Sequence, residues 1–441
     1  MNPFYFFSAP MRRALPGRDC ALLALCLTLA TSPLSAAVDP VSWKLGGLRG
    51  VVVGPADDQH PFQSEGTTAK LKDGTLLHAF NLRYGEKDMS QWHPHYARTV
   101  IAKVLSHDGG KTWSEPEVMF ESNTGINASH PAIRRLANGE LGATYQRINT
   151  KPLDQWNRQK WLTAVSSADK VFRYSADEGK TWSPEIVISP PGGGYWTSAH
   201  DRLLVLSSGR LLQPLHSFPN MDPTVVATKV ARSDDHGRSW KISDQWLEVR
   251  DLAPGYIGEM RSNFHEVAIA ERVDGSIFMI GRTCAGRLYW SESRDRGETW
   301  TKPAPSQLLS PEAPANVARL PGSNDLLVIW NSQCVTNQNT HGGQRLTLAS
   351  AVSSDGGFTW HDYREIITIP PNPGNPRQGF GDDRVCYPSI FFDSGFAYIG
   401  YWAGARVDGR QYDQQYMMVL PVSFFTALRE THRPEIFAPV R

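Results

Sequence analysis

Apolar runs that turn at a glycine recur along the chain. They lie at 69–80, 134–145, 203–214, 270–281 and 318–330, with apolar residues on both sides of the turn. This pattern predicts two antiparallel strands joined by a tight turn. A third strand-like run follows each pair, reading TVIAKVL, KVFRY, TVVATKVAR, GRLYWSE and LTLASAV in chain order. The hydrophobic pattern therefore predicts a chain built from short strands.

A polar box directly after the third strand occurs five times as Ser-x-Asp-x-Gly-x-[Thr/Ser]-Trp. Its central aspartates are spaced 69, 58, 60 and 60 residues apart, at Asp108, Asp177, Asp235, Asp295 and Asp355. An Asp side chain accepts hydrogen bonds from backbone N–H groups further along, and a Gly tolerates positive φ. Each box therefore predicts a hairpin corner held by its aspartate and anchored by the Trp ring. A metal site is the alternative, but no other residues with ligand spacing lie beside the boxes.

The glycine turn, the third strand and the Trp strand make four short antiparallel strands in each repeat. Four-stranded sheets repeated radially are the blades of a β-propeller. Dividing the residues after position 37 by this period predicts an all-β, six-bladed β-propeller of four-stranded antiparallel blades. The long period disfavours the alternatives, a β-sandwich or a β-helix. The strand-like segments 41–54 and 415–427 are expected to share a blade and close the ring.

The N-terminal segment differs from the rest of the chain. Basic residues precede an apolar run at 21–30 and small residues follow it, which predicts a secretory signal peptide over 1–37 and a propeller over 38–441. The mature protein is therefore expected to be secreted or periplasmic. A formal net charge of +1 with 20% charged residues gives no sign of a nucleic-acid or membrane partner, and we expect a monomer. No cysteine spacing is typical of a metal site, and no cofactor is expected.

The boxes and the repeat resemble those of the sialidase (neuraminidase) superfamily over essentially the whole mature chain. Its bacterial members are six-bladed propellers. In FHEVAIAERVDGSIFMIGR, at 264–282, Glu266 and Arg282 match a glutamate and an arginine of the family. The resemblance implies that Glu266 activates a tyrosine nucleophile and that Arg282 binds a substrate carboxylate. A surface Glu and Arg on an ordinary strand are the alternative.

Two further positions match the family. Arg345 lies on the strand that enters the last box, where the family has another carboxylate-binding arginine, and Tyr387 in CYPSIFF lies where it has its nucleophile. An arginine fork matches a carboxylate bidentately, and a neighbouring Glu can take the proton of a phenol. A buried structural Tyr is the alternative at position 387.

The general acid of the family is an Asp on a loop of the first blade. Asp88, in the loop 83–98, is the nearest counterpart, and His93 or His95 is the alternative acid because His titrates near neutral pH. A solvated loop charge is equally compatible with Asp88.

One family arginine is absent. Glu65 lies close to its place, and a carboxylate there repels a substrate carboxylate unless it is protonated or paired. Arg202, Arg282 and Arg345 are candidate partners, and Arg202 is also a candidate for substrate binding. Ordinary sialic acids are therefore expected to be poor substrates.

The resemblance implies a secreted, exo-acting glycoside hydrolase of sialidase type that removes a terminal acidic sugar from a glycan through Tyr387. One alternative is a hydrolase or lyase of the same fold that acts on a uronic or deoxy sugar. Another is a carbohydrate-binding propeller without catalysis.

Overall fold

The computed structural model describes residues 46–47, 50–85, 97–123, 127–148, 167–253, 256, 258–332, 345–370, 374 and 383–427. These residues belong to one compact unit, 39–441. The predicted signal peptide, 1–37, lies outside the described residues. Within the described ranges, no helix is long and apolar enough to cross a membrane.

Strands dominate the described residues. The first eleven are β1 (Gly46–Gly47), β2 (Val51–Gly54), β3 (Phe62–Lys70), β4 (Leu76–Arg83), β5 (Thr99–Ser106), β6 (Glu117–Phe120), β7 (Asn127–Arg135), β8 (Leu141–Ile148), β9 (Ser167–Ser175), β10 (Ile186–Val187) and β11 (Gly194–Tyr195).

The second part of the chain continues in the same way. Its strands are β12 (Leu204–Val205), β13 (Leu211–Ser217), β14 (Val225–Ser233), β15 (Lys241–Ile242), β16 (Ser262–Asn263), β17 (His265–Glu271), β18 (Ile277–Arg282), β19 (Arg287–Ser293), β20 (Ala304–Leu309), β21 (Asn316–Arg319), β22 (Leu326–Asn331), β23 (Thr347–Ser353), β24 (His361–Thr368), β25 (Arg384–Asp393), β26 (Phe396–Val407) and β27 (Arg410–Pro421). Helix is confined to a 3-10 turn, Pro219–Met221, and to α1 (Ser423–Thr426) among the described residues. The prediction of an all-β chain is confirmed.

The strands pair in antiparallel meanders of four. These meanders are β3 to β6, β7 to β10, β12 to β15, β17 to β20, β21 to β24, and β25 to β27 with β2. The described strands form sheets of 4, 5, 5 and 13 strands rather than separate four-stranded sheets. The longest sheet arises because single parallel residue pairs, Asp413 with Phe62 and Thr99 with Asn127, each join the third strand of one meander to the first strand of the next.

Each box holds a turn through its aspartate. In the first box, Asp108 accepts hydrogen bonds from Ser106 Oγ at 2.9 Å, from Thr112 N at 2.9 Å and from Thr112 Oγ1 at 2.6 Å. The same contacts recur at the other four aspartates. Hydrogen bonds from Thr181 lower the pKa of Asp177 to about 2. The box aspartates therefore act as turn anchors, as the sequence predicts.

The box glycines also allow neighbouring meanders to approach closely. Gly237 has φ +89°, and a Cβ at this position would lie 2.1 Å from Phe172 Cε1 on β9. Any other residue would be strained and would displace this ring.

The apolar core is divided into clusters shared by successive meanders. One cluster contains Phe278 of β18, Trp330 of β22 and the box residue Trp360. Another contains Phe80 of β4 and Tyr398 of β26, so it joins the first meander to the last. Burial of large apolar rings between meanders is the main stabilising contribution at these contacts.

Candidate active site

Strained backbone conformations recur at the first strands of the meanders. Five residues at or just before the first strand of a meander adopt a left-handed φ of 50–60°, namely Glu65, His130, Asp201, Glu266 and Tyr387. All except Asp201 lie inside a register shift of the strand pair. A non-glycine residue in this conformation costs about 1–3 kcal/mol, and such residues cluster at functional sites. The bulges therefore direct these side chains away from the regular ladder.

Tyr387 and Glu266 form a hydrogen-bonded pair. The Tyr387 hydroxyl donates to Glu266 Oε1 at 2.8 Å, and both residues are buried. Arg282 Nη1 donates to Glu266 Oε2 at 2.6 Å and lies 3.4 Å from the Tyr387 oxygen. Both oxygens of Glu266 are therefore engaged by groups of the site.

The electrostatics keep the proton on the phenol. Burial, together with the charge of Glu266, raises the pKa of Tyr387 well above its usual range. Burial disfavours the charge of Glu266, but Arg282, His265 and His216 together outweigh this effect and hold the pKa of that carboxyl well below its usual range. The ground state is a neutral phenol that donates to a carboxylate.

Arg345 is a second arginine close to Tyr387. Its guanidinium carbon is 5.6 Å from the centre of the Tyr387 ring, and its Nη2 donates to the Glu312 carbonyl at 2.8 Å. The Glu312 carboxylate in turn lies 3.2 Å from Arg282 Nη2 and accepts from Asn263 Nδ2 at 2.7 Å. The structure thus brings together the four residues that the sequence links to one site, and adds Glu312.

Glu65 has partners that the sequence did not indicate. Its Oε2 accepts from Asn81 Nδ2, and lies 3.4 Å from Arg83 Nη2 and 3.3 Å from His130 Nε2. The candidate partners Arg202, Arg282 and Arg345 do not bind it. Burial disfavours its charge, but His130 and Arg83 outweigh this and hold the pKa of the carboxyl well below its usual range. Glu65 is therefore an ionised acceptor.

Arg202, the remaining candidate for substrate binding, is a buried side chain. It is 2% exposed, and its Nη2 donates to the Ala315 carbonyl at 2.7 Å. Burial lowers its pKa to about 10 although Asp201 and Glu266 oppose this change. It contributes positive charge beneath the site.

Asp201, beside Arg202, ties several first strands together. Its carboxylate accepts from Thr67 Oγ1, Arg134 Nη1, Asn316 Nδ2 and the Ile390 amide, at 2.7, 2.7, 2.9 and 3.2 Å. These donors lie on β3, β7, β21 and β25. Asp201 therefore fixes the relative positions of the strands that carry the site.

His200 packs against the nucleophile candidate. Its ring centre is 5.8 Å from that of Tyr387, and the side chain is fully buried. Neither ring nitrogen has a hydrogen-bond partner among the described residues. Burial, with a smaller effect of Arg202, lowers its pKa to about 4, so the ring is neutral at neutral pH.

The three candidates for the general acid, Asp88, His93 and His95, all lie outside the described residues. Sequence reasoning also missed Asn81, His130 and Glu312. Asn81 and Arg83 end the second strand of a meander two residues apart, a weak signal for side chains on one face. In the part of the chain that the structure describes, no group of three or more His, Cys, Asp or Glu side chains has a metal-binding arrangement.

Known families account for the repeat. The model of the BNR repeat-like domain matches residues 153–399, more than half of the chain, and the BNR/Asp-box repeat matches 104–115. The chain belongs to the BNR repeat-like domain family. A sialidase of Bacteroides fragilis is 25% identical over 336 residues, which cover 70% of this chain and 56% of the relative. The chain thus spans about half the length of this BNR relative.

Solved structures give the same fold. A Dyadobacter fermentans protein of unknown function has a TM-score of 0.64 at 18% identity, covering 86% of this chain and 99% of its own. The NanB sialidase of Streptococcus pneumoniae has a TM-score of 0.61 at 15% identity, covering 86% of this chain and 71% of its own. These likenesses establish a sialidase-like propeller fold. The predicted membership of this BNR protein in the sialidase superfamily is confirmed.

Proposed function

We propose that the protein is an exo-acting glycoside hydrolase of sialidase type, in which Tyr387 attacks the anomeric carbon of a terminal acidic sugar. The observation that carries this proposal is the 2.8 Å hydrogen bond from Tyr387 to Glu266, with Arg282 bound to the same carboxylate. The pairing of a nucleophile with a base that is itself oriented by a third group is typical of covalent catalysis.

The proposed reaction has two steps. The Tyr387 oxygen bonds to the anomeric carbon as its proton passes to Glu266, the glycosidic C–O bond breaks, and an acid protonates the leaving oxygen. Asp88 is proposed for this acid. Water then attacks the anomeric carbon and gives a proton to the carboxylate left on Asp88, the bond from that carbon to the Tyr387 oxygen breaks, and Glu266 returns its proton to the phenol oxygen. Arg282 and Arg345 flank the phenol and are proposed to bind the acidic group of the sugar.

A six-bladed ring is part of the same proposal. Its support is the series of apolar clusters between successive meanders, with the cluster of Phe80 and Tyr398 joining the last meander to the first. The pairing of β2 with β27 gives the last meander a strand from the N-terminal side. Export after removal of 1–37 is proposed from the sequence pattern alone.

The experiment is sugar release from a panel of 4-methylumbelliferyl glycosides by the wild-type protein and Tyr387→Phe. The panel contains sialic acid, glucuronic acid, galacturonic acid, a neutral hexose and a 6-deoxyhexose. Loss of the nucleophilic oxygen should lower kcat on the best substrate at least about 1,000-fold. Unchanged hydrolysis by Tyr387→Phe refutes the role of Tyr387, and binding of sugars without any hydrolysis identifies the protein as a carbohydrate-binding propeller.

A further inference from the structure

The Glu65 side of the site has one carboxylate oxygen to spare. Its three donors, Asn81, Arg83 and His130, all approach Oε2. Oε1 has no hydrogen-bond partner among the described residues and is not one of their enclosed unsatisfied atoms. The side chain retains 9% of its accessible surface. Glu65 therefore offers a single fixed acceptor.

The surroundings hold this acceptor rigidly. Asn81 bridges Glu65 and His130, since its Nδ2 donates to the carboxylate while its Oδ1 accepts from the His130 amide at 2.8 Å. Lys170 Nζ donates to the His130 carbonyl at 3.0 Å. Asn81 and Lys170 are fully buried. A buried network in which each member is bonded fixes the position of the group that it supports.

The two arginines next to Tyr387 offer little spare positive charge. Arg282 is committed to Glu266 Oε2 at 2.6 Å and to Glu312 Oε1 at 3.2 Å. Arg345 is bound to a backbone carbonyl and forms no ion pair with a described carboxylate. Arg345 is therefore the cation available to an anionic ligand, while Glu65 repels one. Arg83, the partner of Glu65, lies 4.5 Å from the centre of the Phe62 ring, and Phe62 packs in one buried cluster with Tyr387. Glu65 and Arg345 therefore both belong to the surroundings of this phenol.

We infer that Glu65 Oε1 is a specificity-determining acceptor for a free hydroxyl of the sugar bound over Tyr387, and that it rejects a carboxylate at that position. An ionised carboxylate only accepts hydrogen bonds, so its partner must be a donor. The substrate class is a terminal sugar that presents a hydroxyl to Glu65, with any acidic group directed towards Arg345. This inference rests on the proposed glycosidase, whose reaction takes place at the same phenol.

The test compares wild-type protein with Glu65→Gln on the five glycosides named above. Glu178→Gln is the matched control, because Glu178 also has a left-handed φ of 63° and an arginine partner, Arg135, but belongs to a turn box. A hydrogen bond to a charged group contributes a factor of about 10–100 to binding. Glu65→Gln should lower kcat/KM on the preferred glycoside by this factor and should leave the rate on the sialoside unchanged or raised. Glu178→Gln should change neither rate.

A monodeoxy series of the preferred glycoside gives the same test on the wild-type protein, should Glu65→Gln fail to fold. Removal of one particular hydroxyl must then cost at least about tenfold in kcat/KM. Equal losses at all positions, or a Glu65→Gln variant with unaltered substrate ratios, overturn the inference while leaving the Tyr387 chemistry intact.

Titration calorimetry with the corresponding free sugars separates the two proposals. If no glycoside is hydrolysed but Glu65→Gln weakens sugar binding about tenfold or more, the proposed reaction fails and the hydroxyl acceptor stands. If no sugar binds to the wild-type protein at millimolar concentration, or if Glu65→Gln binds equally well, the acceptor is refuted.

Discussion

Glu266 and Glu65 hold corresponding places in two different meanders, and their carboxylates are used in different ways. Both lie in a bulge of a first strand with φ of 50° and 60°. Glu266 has Tyr387 on one oxygen and Arg282 on the other, whereas all three donors of Glu65 share one oxygen. Both carboxylates are buried and ionised, so burial and charge do not distinguish them. What differs is the distribution of donors: both oxygens of Glu266 are bound by protein groups, whereas Glu65 keeps one oxygen for the proposed ligand.

The largest effect that sharpens this comparison is expected at Glu266. Glu266→Gln removes the acceptor of the phenol proton, so kcat should fall about 100- to 10,000-fold while KM changes little. Steady-state kinetics on the preferred glycoside measures both parameters, with Glu178→Gln as the control. A variant that keeps its kcat but loses affinity would show that Glu266 binds substrate as Glu65 is proposed to do.

An intermediate effect is expected at Asn81, which orients Glu65. Asn81→Ala removes a donor to Glu65 and leaves the partly buried His130 amide without its acceptor. We expect about a tenfold rise in KM with kcat nearly unchanged, and a loss of about 1–3 kcal/mol in the free energy of unfolding. Urea unfolding measured alongside the kinetics separates the two losses. A fall in kcat alone would place Asn81 with the Tyr387 side of the site instead.

The smallest effect concerns His200, which is influenced by both Tyr387 and Glu65. Its ring faces Tyr387, and the charge of Glu65 acts on it. Its folded pKa of about 4 is below the unfolded value of about 6.5, so the unfolded chain binds more protons and stability falls as the pH drops from 6.5 to 4. His200→Phe should reduce this slope by up to about 1.4 kcal/mol per pH unit.

Urea unfolding of the wild-type protein and His200→Phe at pH 7, 6, 5 and 4 checks this effect. An identical slope in both proteins would show that folding does not lower the pKa of His200. The buried His78, whose pKa burial lowers to about 3, should supply part of the slope that remains.

The parts of the fold that follow from local chemistry were predictable. The boxes turn where Asp108 and its counterparts predict, because the donors lie within four residues of the acceptor. The sheet boundaries were not predictable, because single pairs such as Thr99 with Asn127 depend on how neighbouring meanders meet. The pattern of hydrophobic residues does not encode such a contact.

The candidate site was likewise predictable from the sequence only in part. Glu266, Arg282, Arg345 and Tyr387 were located through a family motif, and the structure brings them together. The partners of Glu65 were misjudged, because Arg83 reaches it across a strand pair whose register is shifted between Ser64 and Thr67. His130 belongs to the next meander, so its approach depends on packing between sheets rather than on sequence spacing.

The pairing of β2 with β27 has a consequence for how the chain folds. Val51 pairs with Met417, 366 positions further along, so this strand cannot find its partner until nearly all of the chain is available. The entropy lost in closing so large a loop must be offset by contacts that form earlier, which makes long-range pairing of this kind slow. Each preceding meander is assembled from nearby residues and can form first. The last step of folding is therefore expected to be the docking of β2, a strand of four residues, onto β27. Shortening either of these two strands should slow folding more than a comparable change in a box turn.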